Sequence, residues 1–269
     1  MSYRLIALDL DDTLLDENSS ISHRNKKALQ KAMQKGIRIT LATGRMFRST
    51  ARYARELGID LPLITYHGAL ICGLEDKEPC YYRPVDHEVS LEVVEECQKK
   101  GYHVNLYLED SLYIKEHNEY SRYYGTISSV DMVPVGDLRE YLQREKRSPT
   151  KITLIDWEDR LDEWAVHLQE KYRGRLKVMG SLPYFLEITH PGATKGQALE
   201  LLSQKLHIPR EEIVAFGDSY NDVDMVKYAW LGVAVGNARP PVKEAADLVT
   251  SSHSEDGVAE VIENHVLES

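Results

Sequence analysis

The chain is organised around an apolar run that ends abruptly in three acids. Here the apolar run Leu5-Ile6-Ala7-Leu8 ends in Asp9, Leu10, Asp11 and Asp12. An unbroken apolar run of strand length suits a strand covered on both faces of a parallel sheet. Asp9 and Asp11 are two apart, so an extended backbone points their side chains the same way. Two carboxylates about 4 Å apart repel by about 4 kcal/mol at an effective dielectric of 20. Two readings fit this stretch alone. One is a solvated acidic turn. The other is a cation site built from oxygen ligands, which a hard cation prefers.

The rest of the chain discriminates between them. Ser22 caps an expected helix to about Lys35, and Gly36 stops it. Ile37–Leu41 reads as a second buried strand, ending in Ala42-Thr43-Gly44-Arg45. A helix to about Leu57 follows. Leu61–Thr65 reads as a third strand, ending in Tyr66-His67-Gly68-Ala69. This β-α-β-α-β rhythm implies right-handed crossovers and a parallel sheet. Ligands of such sheets sit beyond the C-terminal strand ends, where Asp9, Thr43 and His67 fall.

After Ala69 the rhythm changes to paired strands with intervening helices. The strands expected there include Tyr102–Leu108, Leu112–Lys115, Ile152–Ile155, and Leu176–Ser181 with Tyr184–Thr189 around Leu182-Pro183. Parallel-sheet rhythm returns near His190, with a helix from Lys195, a strand over Glu212–Phe216 and another over Leu231–Val235. The expected architecture is α/β: a Rossmann-like parallel-sheet core over 1–82 and 187–269, interrupted by an inserted α+β cap over 83–186.

The 269 residues are enough for one large domain or two ordinary ones, and 42% hydrophobic with 28% charged residues is usual for a globular protein. No apolar run reaches the roughly 18 residues of a membrane span. The N-terminus leads straight into a core strand, so no signal peptide is read there. Cys72, Cys80 and Cys97 are odd in number and lack metal-ligand spacing. They read as reduced thiols of a cytoplasmic protein. A formal net charge of −10 argues against nucleic-acid binding. No membrane association or obligate protein partner is evident either.

Four fragments carry chemistry, each at an expected strand end or helix start. Asp9-Leu10-Asp11-Asp12-Thr13 pairs a nucleophile or ligand with a general acid and base. Thr43-Gly44-Arg45 offers a hydroxyl and free amides to an anion, although a threonine at a helix start is also an ordinary cap. Lys195 opposes the dipole of its own helix start, which an arriving anion would explain and a solvated surface lysine would also fit. In Gly217-Asp218-Ser219-Tyr220-Asn221-Asp222 the two acids are four apart and share a face of an incipient helix.

Together these fragments resemble the haloacid dehalogenase-like superfamily. Length, the insertion and Gly236-Asn237-Ala238 make the chain similar to the Cof-type phosphatases with a type IIB cap. The resemblance implies a Mg²⁺-dependent phosphatase acting on a small phosphorylated metabolite, such as a sugar phosphate or a phosphorylated cofactor. Asp9 would attack phosphorus, giving an aspartyl-phosphate, and Asp11 would protonate the leaving oxygen and later deprotonate water. Mg²⁺ would be held by Asp9, the Asp11 backbone carbonyl and Asp218, with Asp222 behind or through water. Thr43, the Leu10 and Gly44 amides, Lys195 and Asn221 would hold phosphoryl oxygens. Asp12 would shape the turn. A phosphomutase, or a non-catalytic regulator that binds a phosphorylated metabolite, are the alternatives on the same scaffold.

One position departs from the family pattern. Cof-type proteins often carry Asn-Gly-Ala where this chain has His67-Gly68-Ala69. His67 then either meets the leaving group or only occupies the turn. Arg45 either reaches a second anionic group on the substrate or pairs with an acid of the protein.

Overall fold

The computed structural model describes residues 2–128, 130–158, 160–181 and 184–268. The turn expected at Leu182-Pro183 lies outside the described residues. In chain order, β1 (Leu5–Leu8) leads to α1 (His23–Gln34), β2 (Arg38–Leu41), α2 (Phe47–Leu57), β3 (Leu63–Thr65), β4 (Leu70–Cys72) and β5 (Tyr81–Tyr82). The middle holds α3 (His87–Lys99), β6 (His103–Leu108), β7 (Ser111–Ile114), α4 (Glu119–Ser128) and β8 (Met132–Pro134). It continues through α5 (Leu138–Glu145), β9 (Lys151–Ile155), α6 (Leu161–Lys171), β10 (Lys177–Gly180) and β11 (Phe185–Thr189). The chain closes with α7 (Lys195–Lys205), β12 (Ile213–Gly217), α8 (Val223–Tyr228), β13 (Leu231–Ala234), α9 (Pro240–Ala245), β14 (Leu248–Val249) and α10 (Gly257–Val261). Two compact units result: residues 1–81 with 194–269, and residues 82–193.

The first unit is built on a five-stranded parallel sheet in the order β14-β13-β12-β1-β2. All four residues of β1 are fully buried, as expected for a strand flanked on both sides and covered on both faces. Ser22 caps α1 by accepting from the Asn25 amide at 3.1 Å, and Ala28, Leu29 and Ala32 form its buried stripe. The expected third strand behaves differently. β3 starts only at Leu63 and pairs antiparallel with β4, meeting the parallel sheet through a single Ala42–Ile64 bridge. Pro62 has no amide to donate, so the ladder cannot extend backwards through it. Its carbonyl instead accepts from Thr40 Oγ1 at 2.8 Å.

The second unit is a six-stranded sheet in the order β10-β11-β9-β6-β7-β8. All its neighbours are antiparallel except β7 and β8. Alternation divides its faces. Val104, Leu106, Ile152, Leu154 and Ile188 pack in a cluster with Cys97 of α3, Leu142 of α5 and Leu168 of α6. The opposite register carries Asn105, Tyr107, Lys151, Thr153 and Glu187, with Lys151 Nζ 2.8 Å from Glu187 Oε1. The boundary expected at residue 187 needs correction, because it cuts β11. That strand is bonded to β9 and β10 throughout, and the unit runs on to residue 193. No helix among the described residues is long and apolar enough to cross a membrane.

Candidate active site

Register brings the acids together. Leu8 pairs with Phe216 on one side and Leu41 on the other, so the next residues of three adjacent strands reach the same sheet edge. The Asp9 amide donates to the Phe216 carbonyl at 3.1 Å, and the Ala42 amide to the Leu8 carbonyl at 2.8 Å. Asp9 therefore lies beside the loop that follows β12 and the one that follows β2.

Carboxylate oxygens of Asp9, Asp218 and Asp222 lie within 4.8 Å of one another. Each of the three is buried, with Asp222 fully so. One cation offsets them: Lys195 Nζ donates to Asp9 Oδ1 and to Asp222 Oδ1, each at 2.5 Å. Thr194 caps α7 through its side chain, accepting from the Gln197 amide, and so sets Lys195 at the first helical position. Burial opposes the ammonium, but Asp222 and Asp9 outweigh it and the Lys195 pKa is raised. A single lysine does not neutralise three acids. Burial, Asp222 and Asp218 drive the Asp9 carboxyl well above its usual range despite Lys195. Burial and then Asp222 push Asp218 up to about 7, against Lys195 and the Thr13 hydroxyl, which donates to its Oδ1 at 3.1 Å. This surplus of crowded oxygen donors fits a hard divalent cation.

Asp222 is distinguished from its neighbours by how fully it is used. Its Oδ2 accepts from the Asp218 amide at 3.1 Å and the Ser219 amide at 3.0 Å, while its Oδ1 holds Lys195. A side chain at Gly217 would strike this carboxylate, with an added Cβ only 2.4 Å from Asp222 Cβ. Asp222 thus ties the loop after β12 to the lysine.

The other expected residues divide into those inside and those at the rim. Leu10 and Thr43 are buried. Thr43 is fixed on three sides: its amide donates to Ile64 O at 2.9 Å, its carbonyl accepts from the His67 amide at 3.0 Å, and its hydroxyl accepts from the Arg45 amide at 3.1 Å. Gly44 lies against the His67 ring, where any added Cβ would come within 2.3 Å. Asp11 is exposed, and the Arg45 guanidinium grips both of its carboxylate oxygens, one through Nε at 2.8 Å. Arg45 thus pairs with an acid of the protein. His67 is almost completely buried and meets the Asn221 amide at 2.9 Å through Nδ1. Asp12 holds a left-handed φ of 55°, and its carbonyl accepts from Asn237 at 2.8 Å.

Some features had no sequence signal. Thr13 as the partner of Asp218 is one, since nothing marks a threonine after an acidic run as buried. Tyr66, His67 and Gly68 adopt three successive positive φ angles of 51°, 58° and 97°. A bulky Tyr in the left-handed region is costly, and such strain persists only where surroundings over-determine it. The Tyr66 amide donates to Arg45 O at 2.9 Å, which pins the turn to the loop after β2.

Known proteins resemble this chain in sequence and in fold. Residues 6–262 match the haloacid dehalogenase-like hydrolase family. A Bacillus subtilis protein named as a 5-amino-6-(5-phospho-D-ribitylamino)uracil phosphatase is 31% identical, over 98% of this chain and 96% of its own. A solved haloacid dehalogenase-like hydrolase from Bacteroides thetaiotaomicron superposes with a TM-score of 0.89 at 32% identity, over 97% of this chain and 99% of that one. A structure named as a sugar phosphatase of subclass IIB superposes with a TM-score of 0.84 at 26% identity, over 98% and 99% of the two chains. A parallel strand ending in paired acids, a lysine bridging two carboxylates and these relatives lead to one assignment: the chain belongs to the haloacid dehalogenase-like hydrolases, among the Cof-type phosphatases.

Proposed function

We propose that the protein is a Mg²⁺-dependent phosphomonoesterase for a small phosphorylated metabolite carrying a sugar or polyol. The observation that carries this reading is the Lys195 ammonium held between Asp9 and Asp222, with the Asp218 carboxylate alongside. The names of the relatives support the substrate class: one is called a sugar phosphatase, and the other acts on a phosphoribityl compound.

In this reading Asp9 is both nucleophile and metal ligand. Asp218 and the Asp11 backbone carbonyl are further ligands. Asp222, with both oxygens engaged, acts from behind by holding Lys195 and the loop. Held there, Mg²⁺ would supply positive charge to the phosphoryl oxygens and relieve the crowding of the acids. Asp9 attacks phosphorus in line, forming an acyl phosphate (the aspartyl-phosphate) as the bond to the leaving oxygen breaks. Asp11 gives that oxygen a proton. Water then attacks phosphorus, Asp11 takes a proton from it, and inorganic phosphate leaves with Asp9 restored. Thr43, the amides of Leu10 and Gly44, Lys195 and Asn221 orient the phosphoryl group. Positioning and charge neutralisation account for most of such catalysis.

The test is phosphate release from an aryl phosphate and from a panel of sugar phosphates, with Mg²⁺ and with chelator. Mg²⁺-dependent release is expected, and the Asp9→Asn variant should lose at least about a thousandfold in kcat. Comparable turnover by that variant rules out the nucleophile. Dependence on a bisphosphate activator with little net release would identify a mutase instead.

A further inference from the structure

Three strand-end loops converge on His67. Its amide donates to Thr43 O, its ring covers Gly44, and its Nδ1 meets the side-chain amide of Asn221. The ring has no room to retreat, being almost completely buried on a left-handed backbone. The structure sets Asn221 Nδ2 against His67 Nδ1 and leaves Asn221 Oδ1 buried without a hydrogen-bond partner among the described residues.

The two ends of a side-chain amide exchange places on a half-turn, and hydrogen bonding decides which end faces where. If the amide nitrogen donates to Nδ1, the unpaired end is an oxygen. That oxygen then sits in the loop that also carries Asp218 and Asp222, and it would oppose an anionic group. If Nδ1–H of His67 donates to the amide oxygen, the unpaired end is an NH₂ with protons to give. A buried unmade hydrogen bond is costly, so the end left unpaired should be one that an arriving ligand satisfies.

We propose that His67 is a positioning residue: it carries its proton on Nδ1, holds the Asn221 amide oxygen, and so presents the Asn221 NH₂ to the phosphoryl group. This rests on the phosphatase reading above for the identity of the anion, but the tautomer is measured without turnover. The proposed role of the ring runs through Asn221 and requires no contact with a reacting atom.

The ¹⁵N spectrum of the histidine rings, recorded with Mg²⁺ and orthovanadate and assigned with His67→Asn, reads the tautomer directly. A protonated Nδ1 is expected, and an unprotonated Nδ1 overturns the proposal. Kinetics supply a second readout. His67→Asn keeps an N–H near the position of Nδ1 and tolerates a left-handed φ, so the inhibition constant for inorganic phosphate should stay within about threefold. His67→Ala should raise it about tenfold, the usual size of one lost hydrogen bond to a charged group. In the Asn221→Ala background, His67→Ala should have no further effect, and an equal loss in both backgrounds overturns the proposal. If His67→Ala does not fold, the tautomer in the unaltered protein still decides. Failure of the phosphatase reading would show separately, as no turnover and no vanadate binding by the unaltered protein.

Discussion

Arg45 spends its guanidinium on Asp11 and lies over the Tyr53 ring, 5.6 Å from its centroid. Burial disfavours its charge, but the two bonds it donates to Asp11 and that carboxylate's own charge prevail, and the arginine pKa is raised. Because the Asp11 carboxylate is exposed, the pair adds little stability on its own. Its consequence is geometric. A two-pronged grip fixes the plane of the carboxylate, which a lysine cannot do with a single ammonium. If Asp11 moves the proton, loss of that orientation affects turnover more than binding. Arg45→Met should lower kcat about tenfold with KM changed less than about threefold, and Arg45→Lys should fall in between. Steady-state kinetics on an aryl phosphate, which offers no second anion, separates this from a substrate contact. Unchanged kinetics on the aryl phosphate, with KM raised only on a substrate that carries a second anionic group, would instead make Arg45 a binding residue.

At the scale of elements, one local device shapes the site and another lies within the second unit. The first is the left-handed turn at Tyr66–Gly68 packed against the start of α7. Gly68 has a φ of 97°, and a Cβ there would lie 2.2 Å from the Thr194 carbonyl. Backbone cannot swing aside as a side chain can, so Gly68→Ala should destabilise by about 3 kcal/mol or more, read as a lower urea midpoint. Thr194 caps the helix that begins with Lys195, so activity should fall even where the variant folds. The second device is His103 on β6. Its Nε2 pairs with Asn105 Oδ1 at 3.0 Å and its Nδ1 with Asn118 Nδ2 at 3.1 Å. Asn118 Oδ1 in turn accepts from the Ser121 amide in α4 at 2.9 Å. These partners suit a neutral ring with its proton on Nε2, since a second proton would remove the acceptor that Asn118 uses. Burial lowers the His103 pKa from 6.5 to about 4, against the bond to Asn105. The folded value is the lower one, so the unfolded chain binds more protons between those limits. Stability that is fully present above pH 6.5 is lost as pH falls and levels off below about 4. The loss amounts to roughly 3 kcal/mol if this ring acts alone. Asp9 and Asp218, with their raised pKa values, contribute the opposite slope over the same range, so the His103 contribution is read by difference: the gap in urea midpoint between the unaltered protein and His103→Gln should close as pH falls from 7.5 to 3.5. A His103 ring signal that titrates near the ordinary histidine value would end the account.

Across the whole molecule, what could be read from the chain follows from how local each cause is. β1 and β12 were legible because a parallel strand covered on both faces shows as an apolar run, and the acids stand directly behind them. The four dispersed fragments were legible only as a set, because the register that joins Asp9, Asp218 and Lys195 is not a property of any one of them. α4 and β8 were not foreseen. α4 carries Tyr, Ser, Gly and Thr, residues of low helical preference, and Ser121 is its only buried residue among those described, so no apolar stripe announces it. The contacts that set Asn221 and Thr13 are tertiary and leave no trace in spacing. The two units also have separate apolar cores, and the cluster of the second is the smaller. Its opposite sheet face carries buried polar groups, including Asn105 Nδ2 and Thr189 Oγ1 without partners among the described residues. A smaller core with unpaired polar atoms should open first. Cys97 reports on that opening. Burial pushes its thiol up to about 12, against the Trp164 Nε1–H that approaches it at 3.5 Å, so it is inert while covered. Exposed Cys80 should react with iodoacetamide at pH 8 in the native protein, whereas Cys97 should react only as urea opens the second unit. Pulsed alkylation combined with hydrogen exchange should find Cys97 labelled at urea concentrations where the β1 amides are still protected. Loss of both at one midpoint would mean that the two cores unfold as a single cooperative unit.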